Sequence, residues 1–402
     1  MTPRPPISVL VVSHAVGVWG AQLRLIGYAP HLAERGVTFT LAAPEGELAE
    51  AWVDAGLRHV RLDLPPHIDL RRAGGTGRRS ATAVVREAAA QLRSARRIAA
   101  LAKDFDVVLS FNLQAHLESA LAARLARRPV VVEVVDLVRS GIGLRLLRTA
   151  TALADATIAN SAATASTLGP RARDVHVIHP GVDLERFRPG PADPAVRAQL
   201  TGAPDAPLVG IVGRVDPRKG VRDLVDAMSR LEGEAAGARL AVVGDVGIGT
   251  EEDTAALHAD ADRLLGDRIR FLGRRRDVPD VLRALDVLAS ASYAEPFGRA
   301  LLEAQASGVP VVGTRSGGVP EFVEDGVTGL LVPPQDPAAM AAALQRLLGD
   351  AGLRERLARA GRAQAEQRFG LAERYDAVAD VYAGVVARRG PRPAVETGGR
   401  AT

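Results

Sequence analysis

Two cations and two carboxylates are the residues of this sequence whose types and spacing could do chemistry. Arg214 and Lys219 lie in the stretch Gly210-Ile211-Val212-Gly213-Arg214-Val215-Asp216-Pro217-Arg218-Lys219-Gly220. An apolar run ends at Val212, a glycine turn follows, and the two cations flank the entry to a helix. The apolar positions of that helix, Val221, Leu224, Val225, Met228 and Leu231, share one face. Free backbone N–H groups at a helix start favour an anion, and two cations converging there suit a diphosphate. A surface loop with solvated charges is the plain alternative. Lys219 weighs against it: it is one of two lysines among 51 basic residues, the other being Lys103. In a chain that writes almost every cation as arginine, a lysine marks a place where a compact ammonium serves better than a planar fork.

The carboxylates lie in Ser292-Tyr293-Ala294-Glu295-Pro296-Phe297-Gly298-Arg299-Ala300-Leu301-Leu302-Glu303-Ala304. Pro296 can open a helix that Gly308 stops, and Gly298 lets a ligand approach the backbone. That places Glu295 before the first turn and Glu303 about two turns inside, on roughly the same side. Carboxylates accept from vicinal hydroxyls, so a sugar or ribose is a natural ligand for the pair. Two isolated glutamates would otherwise read as a favourable helix N-terminal charge and a solvated one. A second glycine turn, Gly317-Gly318-Val319-Pro320-Glu321, follows the next strand and supports the ligand reading.

The elements that must position these residues are strands alternating with helices. Ile7 to Val12, Val37 to Leu41, Val107 to Ser110, Val130 to Val135 and Ala156 to Ala159 are short apolar runs separated by Ala/Leu/Arg-rich segments of helical spacing. The alternation restarts at Leu208 to Val212, Arg239 to Val243, Arg270 to Leu272, Val287 to Ser290, Val309 to Gly313 and Gly329 to Val332. Continuous rather than alternating apolar strands indicate a parallel sheet covered on both faces. Between the two series, five prolines fall in the 19 residues from Pro189 to Pro207, the best linker in the chain. The fold class is therefore α/β, with two Rossmann-like parallel domains facing across a cleft, and ligands outside the carboxyl ends of the strands.

The ensemble of motifs resembles a family 4 glycosyltransferase of the GT-B fold, the group 1 retaining enzymes that use a nucleotide-sugar donor. The likeness is carried by His179-Pro180-Gly181-Val182-Asp183 with Phe187, by Gly213-Arg214 with Lys219-Gly220, and by Glu295-Pro296-Phe297-Gly298 leading to Glu303 as an E-x7-E pattern. Gly308-Val309-Pro310-Val311-Val312, Gly317 to Glu321 and Asp325-Gly326 with Gly329-Leu330-Leu331-Val332 complete it.

The resemblance implies that Arg214 and Lys219 hold the donor diphosphate and stabilise the leaving nucleotide without a metal. Glu303 would bind the ribose, and Glu295 the transferred sugar, helped by backbone groups of Phe297, Gly298 and Arg299. The turn Phe271-Leu272-Gly273-Arg274 would meet the base, and Gly20 the phosphates. The family usually has a Gly-Gly pair where this chain has Trp19-Gly20. Similar enzymes often carry a His-Asp pair at the end of the strand that here reads Val132-Glu133-Val134-Val135-Asp136, and of that pair only Asp136 remains. Asn112 and His116 are candidates for acceptor contact, His116 equally for helix packing. Retention in this family is ascribed to front-face attack, in which the leaving phosphate oxygen takes the acceptor proton.

The resemblance also frames the domains as an acceptor-binding residues 1–190 and a nucleotide-sugar-binding 191–370. A helix over 371–388 would return to the first; the tail over 389–402, of Pro, Gly and Arg without periodicity, reads by its composition as disordered. The partners implied are a nucleotide-sugar, UDP- or GDP-linked, and a hydroxyl-bearing acceptor in glycan, glycolipid or natural-product synthesis.

Composition narrows the classes. With no cysteine, disulfides, thiolate metal sites and cysteine nucleophiles are excluded. The net charge of +4 and 3% aromatics offer no stacking platform for nucleic acid. The segment from Asp69 to Lys103 holds nine basic and two acidic residues, read as a solvated Arg-rich loop and helix, or as a site for a phosphorylated or membrane-borne acceptor. No apolar stretch reaches the roughly 18 residues of a bilayer span, so a cytoplasmic protein is expected, with at most peripheral contact at the inner face of a membrane. Asp104-Phe105-Asp106 precedes its strand, the wrong end for a metal-assisted nucleotide site.

Three rival readings differ in what they require. A nucleotide-sugar epimerase of the same fold needs several acidic and His residues converging on the sugar. An oxidoreductase needs G-x-G-x-x-G after a strand, and Gly244-Asp245-Val246-Gly247-Ile248-Gly249 has its glycines in the wrong order. A catalytically silent subunit would have no reason to keep Arg214, Lys219, Glu295 and Glu303 together.

Overall fold

A computed structural model describes residues 6–18, 20–64, 81–203, 205–246 and 251–389. The chain divides into two compact units, one of residues 1–178 with 372–402, the other of residues 179–371.

In the first unit seven strands form one sheet: β1 Ile7–Val12, β2 Val37–Ala43, β3 Arg58–Arg61, β4 Val107–Ser110, β5 Val130–Val134, β6 Ala156–Ala159 and β7 Val175–Val177. Their spatial order is β3-β2-β1-β4-β5-β6-β7 and each pairing is parallel. Val9 to Val12 and Val107 to Leu109 are completely shielded because helices cover both faces of the sheet. The C-terminal helix Leu371–Arg389 belongs to this unit, where Tyr375, Val378, Val381, Tyr382 and Val385 are buried.

The second unit carries β8 Leu208–Val212, β9 Arg239–Val243, β10 Ile269–Phe271, β11 Val287–Ser290, β12 Val311–Thr314 and β13 Leu330–Val332. They run parallel in the order β10-β9-β8-β11-β12-β13. Both sheets thus wind outward from a central pair, β1/β4 and β8/β11. At such a pair the two chain directions diverge and open a crevice at the strand carboxyl ends.

The division between the units falls at Ile178/His179, not at residue 190. The Pro-rich segment is no free linker. Val182, Phe187, Val196 and Leu200 enter one core cluster with Leu208, Ala241 and Phe369, so burial binds residues 182–200 to the second sheet. Asp193 caps the helix Pro194–Thr201 by accepting from the Ala195 N–H, and Pro194 sits in its first turn, where a missing N–H costs nothing.

Candidate functional site

In the second unit the polar residues gather at the β8/β11 crevice. The turn after β8 is locked by Asp216, whose side chain is fully buried. Asp216 accepts from the Arg218 N–H at 3.0 Å, and its second oxygen from Arg214 Nε at 3.3 Å and an Arg218 guanidinium nitrogen at 3.2 Å. One carboxylate thereby aims two arginines and starts the single 3-10 turn Pro217–Lys219. Gly220 follows at φ +64°, and a Cβ there would fall 2.1 Å from the Ala291 carbonyl oxygen. Only glycine lets the β8 loop cross the β11 loop this closely.

That crossing brings Lys219 Nζ to 2.7 Å from Glu295 Oε2, and Ser292 Oγ donates to the same oxygen at 3.0 Å. Gly317, at φ +59°, presses the next loop against the Glu295 backbone, and the Gly318 N–H donates to the Glu295 carbonyl at 3.0 Å. Tyr293 adds two ties. Its N–H donates to the Arg218 carbonyl at 2.8 Å, and its hydroxyl donates at 3.1 Å to Asp223 in the first turn of the helix Val221–Ser229. Burial, with the Asp223 charge second, pushes the Tyr293 phenol up to about 12, so it stays a donor. Burial also raises the Asp223 carboxyl above its ordinary value.

The helix after Glu295 starts at Arg299 and runs to Ala306, three residues later than a Pro296 start predicts. Gly298 is the reason: its φ of +108° is outside helical space, so Pro296 and Phe297 remain in the loop. Glu303 is accordingly one turn inside, where it accepts from Arg299 at 2.8 Å. Phe297 is buried and stacks on Phe322 and on His179, which itself meets Glu321 at 2.7 Å. The Arg274 turn is stitched to the same edge: the Arg274 N–H donates to Asp245 Oδ1 at 2.9 Å, and the Val215 N–H to the Asp245 carbonyl at 2.9 Å.

Of the residues singled out from sequence, the fold joins Lys219 directly to Glu295, Arg299 to Glu303, and the Arg214 turn through Asp245 to Arg274. Glu295 is held by Lys219 and Ser292, and Glu303 by Arg299. Asp216, Ser292, Tyr293 and Asp223 were missed. Asp216 could have been found, since Asp-Pro before a basic pair is an Asx-type turn signal. Ser292 and Asp223 act through contacts that only the fold creates.

In the first unit the β1/β4 crevice gathers Ser13, His14, Ser110, Asn112, His116 and Glu118. Asn112 Nδ2 donates to Ser13 Oγ at 3.5 Å, His116 Nδ1 is 2.8 Å from Ser110 Oγ, and His14 hydrogen-bonds the fully buried Glu118. Burial pushes the His116 imidazole down to about 4, with the Asp136 charge opposing. His116 is 2% exposed at the start of its helix His116–Ala126, which favours the packing role over acceptor contact. His14 and Glu118, 104 positions apart, escaped the sequence reading. Gly20 opens the helix Gly20–Glu34, while Trp19, residues 69–80 of the basic segment, Gly247 to Gly249 and the tail beyond 389 lie outside the described residues. Asp106 is structural: it accepts from the N–H and Oγ of Ser8 at 2.9 and 2.7 Å, at the amino end of the sheet.

Two parallel units, each with its polar side chains at a topological switch point, define a double Rossmann-like protein. Comparison narrows the class. The family description "Glycosyltransferase Family 4" matches residues 20–186 and "Glycosyl transferases group 1" matches residues 193–364. The chain belongs to this glycosyltransferase family, and its fold is GT-B.

Among curated relatives, a D-inositol 3-phosphate glycosyltransferase of Streptomyces bingchenggensis is 41% identical over 241 residues, covering 57% of this chain and 53% of the relative. One from Xylanimonas cellulosilytica is 42% identical over 227 residues, covering 54% and 53%. The chain spans about half the length of the curated relatives it matches. Among solved structures, Anabaena Alr3699/HepE in complex with UDP and glucose is 27% identical with a TM-score of 0.81, covering 94% of this chain and 100% of that one. Sucrose-phosphate synthase from Thermosynechococcus elongatus, at 23% identity and a TM-score of 0.75, shares the fold. Among the described residues no helix is long and apolar enough to cross a membrane.

Proposed function

We propose that this protein is a retaining glycosyltransferase that moves a sugar from a UDP- or GDP-linked donor to a hydroxyl acceptor. The observation that carries the reading is the Lys219–Glu295 pair, a cation and a carboxylate 2.7 Å apart at the switch point of the second sheet. The cation suits a diphosphate and the carboxylate a sugar hydroxyl, and a nucleotide-sugar presents both, its sugar ring being joined to the diphosphate through the anomeric oxygen. Lys219 and Arg214 would neutralise the leaving diphosphate without a metal. Glu303 would hold the ribose, the Arg274 turn the base, and Glu295 with the backbone of Phe297 to Arg299 the sugar. The bond from the anomeric carbon to the phosphate oxygen breaks with its electron pair going to the diphosphate. The acceptor oxygen attacks on the same face, and its proton passes to that phosphate oxygen.

The Anabaena neighbour solved with UDP and glucose favours a UDP-sugar, and the relatives named for D-inositol 3-phosphate make a phosphorylated polyol the first acceptor to try. The β1/β4 crevice, with Asn112 and Asp136 at strand ends, would receive it, and a peripheral membrane contact would bring a lipid-borne one. The test is incubation with a panel of UDP- and GDP-sugars and acceptors, with the anomeric configuration of any product read by NMR. Transfer with retention, unchanged by EDTA, is expected. Epimerised donor with no transfer to any acceptor sinks the proposal.

A further inference from the structure

Resting on that reading, we infer that the Lys219–Glu295 pair makes the site discriminate between the intact donor and its own nucleoside diphosphate product. Glu295 Oε2 holds two donors, Lys219 Nζ at 2.7 Å and Ser292 Oγ at 3.0 Å, and its side chain is 12% exposed. A diphosphate entering the crevice competes with Glu295 for Lys219, so one member of the pair must yield. Glu295 is the one whose main chain is fixed. Its carbonyl is bonded to the Gly318 N–H at 3.0 Å, and a Cβ on the crossing Gly317 would lie 1.8 Å from that carbonyl oxygen. Ser292 is itself pinned, its carbonyl accepting from Thr314 Oγ1 at 2.5 Å. Lys219 is 28% exposed on a flexible four-carbon stem, and it swings.

The consequences differ for the two ligands. A nucleoside diphosphate draws Lys219 away and leaves a mostly buried carboxylate with Ser292 as its remaining side-chain donor, and an under-compensated buried charge is costly. A nucleotide-sugar draws Lys219 away and supplies sugar hydroxyls to Oε2 in the same event. Glu295 thus opposes the product and accepts the donor, which speeds release of the diphosphate after transfer.

The test is calorimetric titration of the full chain with UDP, GDP, UDP-glucose and the matching GDP-sugar. Wild type should bind the intact sugar nucleotide at least tenfold tighter than the diphosphate. Glu295→Gln removes the charge and releases Lys219, so it should bind the diphosphate about tenfold tighter than wild type, about 1.4 kcal/mol, while discrimination collapses. Ser292→Ala, which alters no donor contact, should weaken diphosphate binding about threefold because Glu295 then depends more on Lys219. That variant carries the test should Glu295→Gln not fold, as thermal unfolding of the free protein will tell. Diphosphate affinity unchanged or weakened in Glu295→Gln, with sugar-nucleotide affinity lost, makes Glu295 a sugar contact alone and overturns the inference while the function stands. Binding of no UDP or GDP ligand by wild type overturns both.

Discussion

At the residue scale, His116 gives a pH dependence that needs no substrate. Burial lowers its pKa to about 4 against an ordinary 6.5. Between those values the unfolded chain binds a proton that the folded chain refuses. The contribution is therefore intact above pH 6.5, is lost as pH falls through the window, and changes no further below about 4. By pH 5 the loss is about 2 kcal/mol. His116→Gln should flatten it: the urea midpoint of wild type should fall relative to the variant between pH 7.5 and 5, and parallel falls refute the assignment. Lys219→Ala should cut transfer by about a hundredfold or more, with a loss of stability of at most about 1 kcal/mol for a partly exposed pair. Wild-type turnover in that variant would contradict the diphosphate role. Lys219 was legible because the chain so rarely uses lysine. Its carboxylate partner was legible as a motif, but the 2.7 Å contact joins positions 76 apart and arises only where two glycine turns cross.

At the scale of elements, the crossing glycines decide whether that contact exists. Gly317 and Gly233 have nearly the same φ, +59° and +57°, but of the two only at Gly317 does a Cβ meet backbone; at Gly233 nothing lies within 4 Å. Gly233→Ala should cost about 1 kcal/mol for the left-handed conformation and leave donor binding unchanged. Gly317→Ala should move the Glu295 loop and weaken sugar-nucleotide affinity by more than tenfold. Equal effects in titration and unfolding would remove the crossing from the site's design. The same logic shows what elements sequence could reveal. The central strands were plain because burial on both faces writes continuous apolar runs. Arg58–Arg61 and Val175–Val177 were missed because they are the two edges of their sheet, half exposed and interrupted by Arg or His. Pro296 misplaced a helix start because a proline marks a plausible first turn, whereas the left-handed Gly298 downstream sets the actual one.

At the scale of the whole molecule, two units with separate cores should unfold as two, and the last helix decides which fails first. Proline density misplaced their division, since turn-forming residues say where the chain bends and not which core it packs on; Phe187 and Leu200 show the latter. The helix Leu371–Arg389 seats Tyr375 against Tyr28 at 4.8 Å and Tyr382 against Phe39 at 6.0 Å, both in the first unit. Removing residues 372–389 deletes six buried side chains worth about 10 kcal/mol of apolar burial, as much as a domain's whole net stability. The first unit should then lose its cooperative calorimetric transition, while residues 179–371 keep theirs. Added UDP at a hundredfold over its Kd should raise only that surviving transition, by about 2.7 kcal/mol. Loss of both transitions would mean that the second sheet depends on the first for its stability. Survival of both would mean that the C-terminal helix is an appendage rather than part of the first core.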